Sequence, residues 1–312
     1  MQYYFAPLEG LTDSAFRRIH HKYFPGIDRY YTPFFSPTMH RALTTREARE
    51  LPPADSLGVT VIPQVLTKVA EDFVFMTEVC RDRGYKEINL NLGCPSGTVT
   101  AKGKGSGMLR DLDSLDRFLE EIFAGAVLPI SVKTRIGFAD SAEWPAILEV
   151  LSRYPICELT VHPRVRSAFY KGQVDMEAFR YTLEHSTAPI CYNGDIVSLR
   201  QAEALTEQYP QITGVMLGRG LISDPGMLSG GTDRDTLENY LGELLETYLV
   251  EFGGSRNAMF RLKEHWGLLI RKFDGGDKLW KALRKTTDIG EYRSLCGQIL
   301  HTLPMRDELA EW

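Results

Sequence analysis

The sequence has few cysteines, five among 312 residues, and it contains no CxxC pair and no HxxxH spacing. This spacing supports neither a disulfide framework nor a zinc site, so we expect reduced thiols, no metal and a cytoplasmic location. Long apolar runs are also absent, and the first ten residues lack the basic and apolar regions of a secretion signal. We therefore expect a protein that is neither secreted nor inserted in a membrane.

An excess of positive charge is absent as well, because 36 Lys and Arg face 41 Asp and Glu, which gives a net charge of -5. A chain with this balance has no overall attraction to nucleic acid, so any such role requires a local basic patch. Residues 256–293 contain ten Lys and Arg against five Asp and Glu. This stretch is either a solvated helix face or a site for a polyanion.

Eight short runs of β-branched or aromatic residues are present, and most of them are separated by stretches of helical period, such as residues 72–83. The runs begin near positions 3, 28, 58, 86, 128, 157, 188 and 213. Strands that alternate with helices predict an α/β fold, and eight such units predict a (β/α)8 TIM barrel. A doubly wound open sheet is the alternative fold.

A change of composition follows Gly230, where "SGGTDRDT" forms a turn-rich connector. From Leu237 onward the β-like runs stop and helical periodicity continues to the last residue. We therefore predict a TIM-barrel catalytic domain over residues 1–235, followed by a small all-helical domain over residues 236–312.

Polar residues follow the apolar runs, and in a barrel the carboxyl ends of the strands converge on one mouth where chemistry takes place. These residues are Pro7, Glu9, Gln64, Asn91, Cys94, Lys133, Arg135, His162, Arg164, Asn193, Asp195, Gly218 and Arg219. The last two loops, "NGD" and "LGRG", supply the glycines and the arginine with which barrels bind phosphate. The pattern predicts a phosphorylated ligand.

Several motifs then appear in a characteristic order: "APLEGLTD", "NLNLGCPS" with "KGKGSGML", "VKTRIG", "VHPR", "NGDI" and "GRG". In order and spacing they resemble the bacterial tRNA-dihydrouridine synthases over almost the whole chain, including the helical extension. Leu8 stands where many members have Met, and Pro163 stands where many have Gly or Ala. The second difference could alter the loop that holds Arg164.

The resemblance implies an enzyme that binds FMN, takes electrons from NADPH or NADH, and reduces the C5=C6 bond of a uridine in tRNA. Lys133 would lie near the flavin ring and stabilise its anionic reduced form. We also expect a monomer. The implied cofactor-binding residues are Pro7, Leu8, Glu9, Gln64, Lys133, His162, Asn193, Gly194, Asp195, Gly218 and Arg219.

Cys94 is the candidate catalytic residue. In this reaction uracil C6 accepts a hydride and C5 must receive a proton, so the site needs an acid. A free thiol has a reference pKa of about 8.5 and is mostly protonated at neutral pH, so it can donate that proton. The alternative is an inert core cysteine.

The implied substrate site includes Asn91, which can bond the uracil edge or serve as a strand-end turn amide. The segment 102–107 is either a lid or a flexible linker. A stacked uridine must be extruded to react, so RNA binding elsewhere is required, and the helical domain is the candidate for it. The predicted substrate-binding residues are Asn91, Arg135, Arg164, Lys102, Lys104, Arg261, Lys263, Arg271 and Lys272.

Two other functions are compatible with parts of the sequence. A small-molecule flavin reductase of the dihydroorotate dehydrogenase type would share the barrel and the phosphate-binding loops, but it would not need the helical extension. A barrel that binds RNA without catalysis would not need Cys94 and Lys133.

Overall fold

The computed structural model describes residues 1–37 and 41–312, which form two compact units. The first unit comprises Met1–Pro7, Asp28–Gly194 and Thr206–Met216. The second unit comprises Leu8–Ile27, Asp195–Leu205 and Leu217–Trp312.

Nine parallel strand segments form a nearly closed barrel. They are β1 (Gln2–Phe5), β2 (Arg29–Tyr31), β3 (Thr60–Ile62), β4 (Gln64–Val65), β5 (Ile88–Leu92), β6 (Ile130–Arg135), β7 (Leu159–His162), β8 (Ile190–Asn193) and β9 (Gly214–Leu217). Their order is β3-β2-β1-β9-β8-β7-β6-β5-β4. Only Pro63, which has no amide hydrogen to donate, separates β3 from β4, so the sheet returns to where it began. The eight predicted strands and the TIM barrel are therefore confirmed, and the open sheet is excluded.

The helices of the first unit lie between the strands. They are α2 (Thr45–Glu50), α3 (Ala70–Asp82), α4 (Gly97–Thr100), α5 (Leu112–Gly125), α6 (Trp144–Leu151) and α7 (Met176–His185), and α8 (Leu199–Gln208) connects β8 to β9. Helix α3 buries Phe73, Met76 and Cys80 on the face that its period predicts. Asp111 and Asp175 begin α5 and α7 by accepting backbone N–H bonds.

The amino-terminal end of the barrel is held by a buried carboxylate, Glu158. It accepts hydrogen bonds from the hydroxyl groups of Tyr4 at 2.9 Å, Thr213 at 3.1 Å and Tyr31 at 3.3 Å. A buried carboxylate is tolerated only when such donors replace its water. This cluster is structural, because it lies at the strand ends opposite those that carry the predicted site.

The second unit is helical. It contains α1 (Ser14–Tyr23), α9 (Arg219–Ser223), α10 (Arg234–Glu251), α11 (Ser255–Leu269), α12 (Asp277–Lys285) and α13 (Ile289–Thr302). Asp13 caps α1 and also accepts a 2.9 Å bond from the Tyr248 hydroxyl of α10. Trp266 is buried and donates to the Tyr292 hydroxyl at 3.1 Å. Among the helices of the described residues, none combines the length and apolar character that a membrane-spanning segment needs.

Two glycines of the second unit, one tightly packed and one exposed, allow the packing around α9 to be tested. A Cβ atom at Gly220 would lie 2.3 Å from the carbonyl oxygen of Ile196, whereas one at Gly242 would meet nothing within 4 Å. We expect Gly220→Ala to lower the free energy of unfolding by about 1–3 kcal/mol or more. The exposed mid-helix change Gly242→Ala should instead raise it by about 0.5–1 kcal/mol. Urea denaturation of both variants measures this, and equal stabilities would contradict the packing at Gly220.

Candidate active site

Cys94 is half-buried in the loop that follows β5, and Asn91 shapes that loop. The Asn91 side-chain oxygen accepts the backbone N–H of Gly93 at 3.0 Å and that of Cys94 at 2.9 Å. These two bonds form a tight turn directly after the strand. Of the two roles predicted for Asn91, the hydrogen bonds show the strand-end turn, and this turn fixes the backbone of the thiol.

A chain of side-chain amides connects this turn to the barrel wall. Asn91 donates to the Gln64 oxygen at 2.7 Å, and Gln64 donates to the Asn89 oxygen at 2.8 Å. Asn89 in turn donates to the Ser131 hydroxyl at 2.9 Å. All four residues are buried, so the network is rigid and fully inside the protein. Gln64, predicted to bind a cofactor, is a member of it.

The glycine- and lysine-rich segment packs back onto the cysteine loop. Ser106 donates to the Cys94 carbonyl through its hydroxyl at 2.7 Å and through its backbone N–H at 3.3 Å. Gly105 has a φ of +58°, and a Cβ atom there would lie 3.0 Å from the Cys94 Cβ. Lys102 is exposed, whereas the Lys104 ammonium lies 3.5 Å from the Ser36 hydroxyl. Residues 105–109 are buried, so this part of the segment is an ordered support of the loop.

Lys133 extends from β6 and donates to the side-chain oxygen of Asn193 at 2.8 Å. Burial, and to a smaller extent the neighbouring Arg135, lower the pKa of Lys133 to about 7, although Cys191 and Cys94 act in the opposite direction. Asn193 is held by a 2.8 Å bond to the Met216 carbonyl. The site therefore contains an amine that is close to losing its charge at neutral pH.

Two predicted substrate residues, Arg135 and Arg164, are buried and hold backbone in place. Arg135 donates to the carbonyls of Gly93 at 3.0 Å and Val165 at 3.1 Å, and burial lowers its pKa to about 10. Arg164 lies 3.1 Å from the His162 ring nitrogen. The Pro163 carbonyl accepts the N–H of Asp175 at 2.8 Å, so the backbone at this unusual proline is held by a hydrogen bond within the loop.

Arg166 also contacts the loop that carries Cys94, and the sequence did not predict this contact. It donates to the Pro95 carbonyl at 3.0 Å and to the Thr100 hydroxyl at 3.3 Å, and it stacks over the Phe138 ring. It therefore holds the loop that carries Cys94 in place from the loop that follows β7. Its only sequence signal was a second arginine in "VHPRVR", two residues beyond the expected strand end.

The remaining predicted cofactor residues of the first unit follow their strands closely. Pro7 comes after β1, and Gly194 comes after β8. A Cβ atom at Gly194 would lie 2.9 Å from both the Tyr192 hydroxyl and a Val174 methyl group, so a larger residue would fit only if these side chains shifted.

In the second unit, Leu8 and Glu9 begin the turn before α1, and the Leu8 N–H donates to the Thr12 hydroxyl at 2.9 Å. Gly218 precedes α9, and Arg219 pairs with Asp195 at 2.9 Å. The indole of Trp312 lies 4.0 Å from the Arg219 guanidinium and 3.7 Å from that of Arg271. Trp312 was missed because nothing in its local sequence indicates an arginine partner.

The four basic residues predicted to bind RNA are engaged within the second unit. Arg261 contacts the Gly10 carbonyl and Asp13, Lys263 contacts the Thr286 carbonyl, and Arg271 donates to the Ala310 carbonyl at 2.6 Å.

Lys272 differs most from its prediction. It is only 3% exposed and pairs with Asp224 at 2.7 Å. Its ammonium is therefore in the interior of the second unit. The prediction that Lys272 binds RNA at the surface is wrong, because the side chain is buried against Asp224.

The five cysteines are free thiols. Within residues 1–37 and 41–312, no group of three or more His, Cys, Asp or Glu is placed to hold a metal ion.

Similarity to known proteins covers most of the chain. Residues 4–289 match the family model described as "Dihydrouridine synthase (Dus)". A Staphylococcus epidermidis protein named "Probable tRNA-dihydrouridine synthase" is 27% identical over 97% of this chain and 95% of its own. A Staphylococcus aureus protein of the same name is 32% identical over 69% of this chain and 67% of its own. Morphinone reductase in complex with tetrahydroNAD shares the fold, with a TM-score of 0.51 and 9% identity over 73% of this chain and 85% of its own.

The lowered pKa of Lys133 can be measured directly. In ligand-free protein with ¹³C-dimethylated lysines, the Lys133 signal should titrate with a midpoint near 7, because burial disfavours the ammonium. The variant Lys133→Arg, which lacks this signal, assigns it in the spectrum. A midpoint close to the ordinary lysine value of about 10.4 would contradict the assigned environment.

Proposed function

The chain belongs to the dihydrouridine synthase family, and from this premise we propose that it reduces the C5=C6 bond of specific uridines in tRNA, with FMN as cofactor and NADPH or NADH as reductant. It is a flavin-dependent oxidoreductase. The observation that carries the proposal is a half-exposed thiol, Cys94, held by a rigid network at the barrel end where Lys133 also lies. The thiol follows β5 and the nearly neutral amine extends from the neighbouring strand β6, an arrangement that suits a reaction in which a proton is donated and negative charge is stabilised.

The residues of the first unit fit a flavin. Lys133 has no carboxylate partner in the part of the chain that the structure describes, and its only hydrogen bond there goes to a neutral amide. An anionic ring in contact with this amine would favour its charged form and be stabilised by it. When bound, reduced FMN supplies the hydride that uracil C6 accepts. The proposed cofactor-binding residues are Pro7, Leu8, Glu9, Gln64, Lys133, His162, Asn193, Gly194, Asp195, Gly218 and Arg219.

Cys94 would donate the proton that C5 of the uracil receives. Asn91, Ser106 and Arg166 keep its loop in place by hydrogen bonds, so the thiol needs little reorganisation before it acts. Its half-buried position leaves a route by which solvent can return a proton after each turnover. Cys94 is thus the proposed general acid.

The same proposal divides the chain into a catalytic domain over residues 1–235 and a tRNA-binding domain over residues 236–312. The all-helical sequence from α10 onward supports this division, because a small-molecule reductase has no use for such an extension. Lys102 and Lys104 stay candidates for contacts with the substrate RNA.

The flavin assignment is tested with Lys133→Met. Loss of a charged hydrogen-bond donor should raise the Kd for FMN by roughly 10- to 150-fold, which corresponds to about 1.5–3 kcal/mol. Lys86→Met is the matched control, because Lys86 is exposed and precedes β5 at the opposite end of the barrel. Quenching of FMN fluorescence measures both. A Kd unchanged in Lys133→Met would remove Lys133 from the cofactor site.

The role of Cys94 is tested by separating the two half-reactions. In Cys94→Ala, reduction of the bound flavin by NADPH should continue, while dihydrouridine formation on tRNA should fall by about 10²- to 10⁴-fold. Cys157→Ala is the control, because that half-buried thiol precedes β7 at the other end of the strands. Stopped-flow absorbance follows the flavin, and nucleoside analysis follows the product. An equal loss in both half-reactions would point to misfolding rather than to a missing acid.

A further inference from the structure

A cleft of about 490 Å³ lies in the helical second unit, far along the chain from Cys94. It is formed by α11 and by the residues that end α12 and precede α13. Its lining includes Arg256, Phe260, Lys263, Glu264, Arg284 and Thr287. Ligand sites typically measure about 300–1,000 Å³, so the cleft suits a single nucleotide and is too small for a double helix.

Phe260 is exposed at 68%, an unusual state for an aromatic side chain. It lies four residues after Arg256 and four before Glu264 on α11, so these three side chains share one face of the helix. A single ring that projects between charged groups offers a flat stacking surface without an apolar groove around it. This arrangement is typical of surfaces that bind unstacked bases.

Two arginines of the cleft have no partner within the second unit's described residues. Arg256 and Arg284 are exposed, and neither makes an ion pair or a side-chain hydrogen bond there. Arg293 in the same helical region pairs with Glu246 instead, and Arg306 pairs with Asp274. With Lys263, the cleft has three cations and one carboxylate, Glu264, so it attracts anions locally although the chain carries a net charge of -5.

We propose that this cleft binds an unstacked nucleotide of the tRNA, other than the uridine that is reduced. Its base stacks on Phe260, and Arg256 and Arg284 contact the adjoining phosphates. The inference rests on the proposed function and adds to it a second contact site, in which the exposed ring of Phe260 acts together with Arg256 and Arg284 of the basic stretch 256–293. Binding of an already unstacked base provides affinity that can offset the extrusion of the target uridine.

The stacking contact is tested on the FMN-loaded enzyme with an unmodified tRNA transcript, by filter binding at several salt concentrations. Phe260→Ala should raise the Kd by roughly 5- to 150-fold, as loss of one stacked base does. The dependence of log Kd on log salt should stay the same, because no charge is removed. Phe260→Tyr should bind like the wild type, whereas Phe260→Leu should resemble Phe260→Ala, since the contact needs a ring.

The phosphate contacts have their own signature. In the double variant Arg256→Gln with Arg284→Gln, the salt slope should fall by up to about 1.4, because each single-strand phosphate contributes about 0.7. Val250→Ala is the control for the loss of an exposed apolar side chain, since Val250 is 83% exposed on α10. Arg293→Gln is the control for the loss of an exposed arginine. Both controls should bind tRNA like the wild type, and NADPH oxidation without tRNA should be unchanged in every variant.

The failure of this proposal differs from the failure of the proposed function. If the wild type forms dihydrouridine and Phe260→Ala binds tRNA as tightly as Val250→Ala, the cleft proposal alone is overturned. An unchanged salt slope in the double arginine variant overturns the phosphate contacts. If the wild type neither binds tRNA nor forms dihydrouridine, both proposals are overturned. Equal affinity of Phe260→Leu and the wild type overturns base stacking in favour of a plain apolar contact.

Discussion

The side-chain amide of Asn91 is the constraint on which the candidate site depends. Its oxygen holds the turn that carries Cys94, and its nitrogen connects that turn to Gln64 in the barrel wall. A carboxylate at this position would accept the two turn bonds but could not donate to Gln64, and it would add a charge in the interior. An aliphatic residue would lose both functions. The position of the thiol is thus set by hydrogen bonds to the barrel wall rather than by the loop itself.

Burial at the same barrel end controls the charges. Lys133 is half-buried and Arg135 is buried, both with neutral oxygens as hydrogen-bond partners, so the pKa of each falls below its ordinary value. A cationic site without a fixed anion is costly for the empty protein and favourable once an anionic ligand arrives. By contrast, Glu158 at the opposite barrel end accepts three hydroxyl donors, which makes that end a structural element. The two ends of the barrel therefore differ in chemistry. The charge of Glu158 is met by hydroxyl donors of the protein, whereas Lys133 and Arg135 have only neutral oxygens as hydrogen-bond partners.

The sequence predicted the barrel correctly because alternating apolar runs and helical periods are local properties of the chain. The run near position 58 was predicted as one strand, and in the structure Pro63 divides it into β3 and β4. The sequence also placed Lys133 and Cys94 toward the carboxyl-terminal side of adjacent strands, since parallel strands share one direction, although Lys133 lies within β6 and not at its end. It was not sufficient for the partners of charged residues. Lys272 and Arg261 belong to a basic stretch, yet Asp224 and Asp13 pair with them across 48 and 248 positions of the chain. A charge count along a segment cannot show such pairs, and for the same reason Trp312 and Arg166 could not be found from their neighbours.

This distinction changes which cations matter for RNA. A cation that neutralises a carboxylate of its own protein is already compensated, so moving it toward a phosphate would leave that carboxylate unpaired. Arg256 and Arg284 carry no such cost, and they flank the one exposed ring of the cleft. Extrusion of a stacked uridine costs a few kcal/mol, and one stacked base on an aromatic side chain contributes about 1–3 kcal/mol. The two quantities are similar, so a single stacking contact in the helical unit would be enough to shift the balance toward the extruded state, provided that the tRNA engages both sites at once.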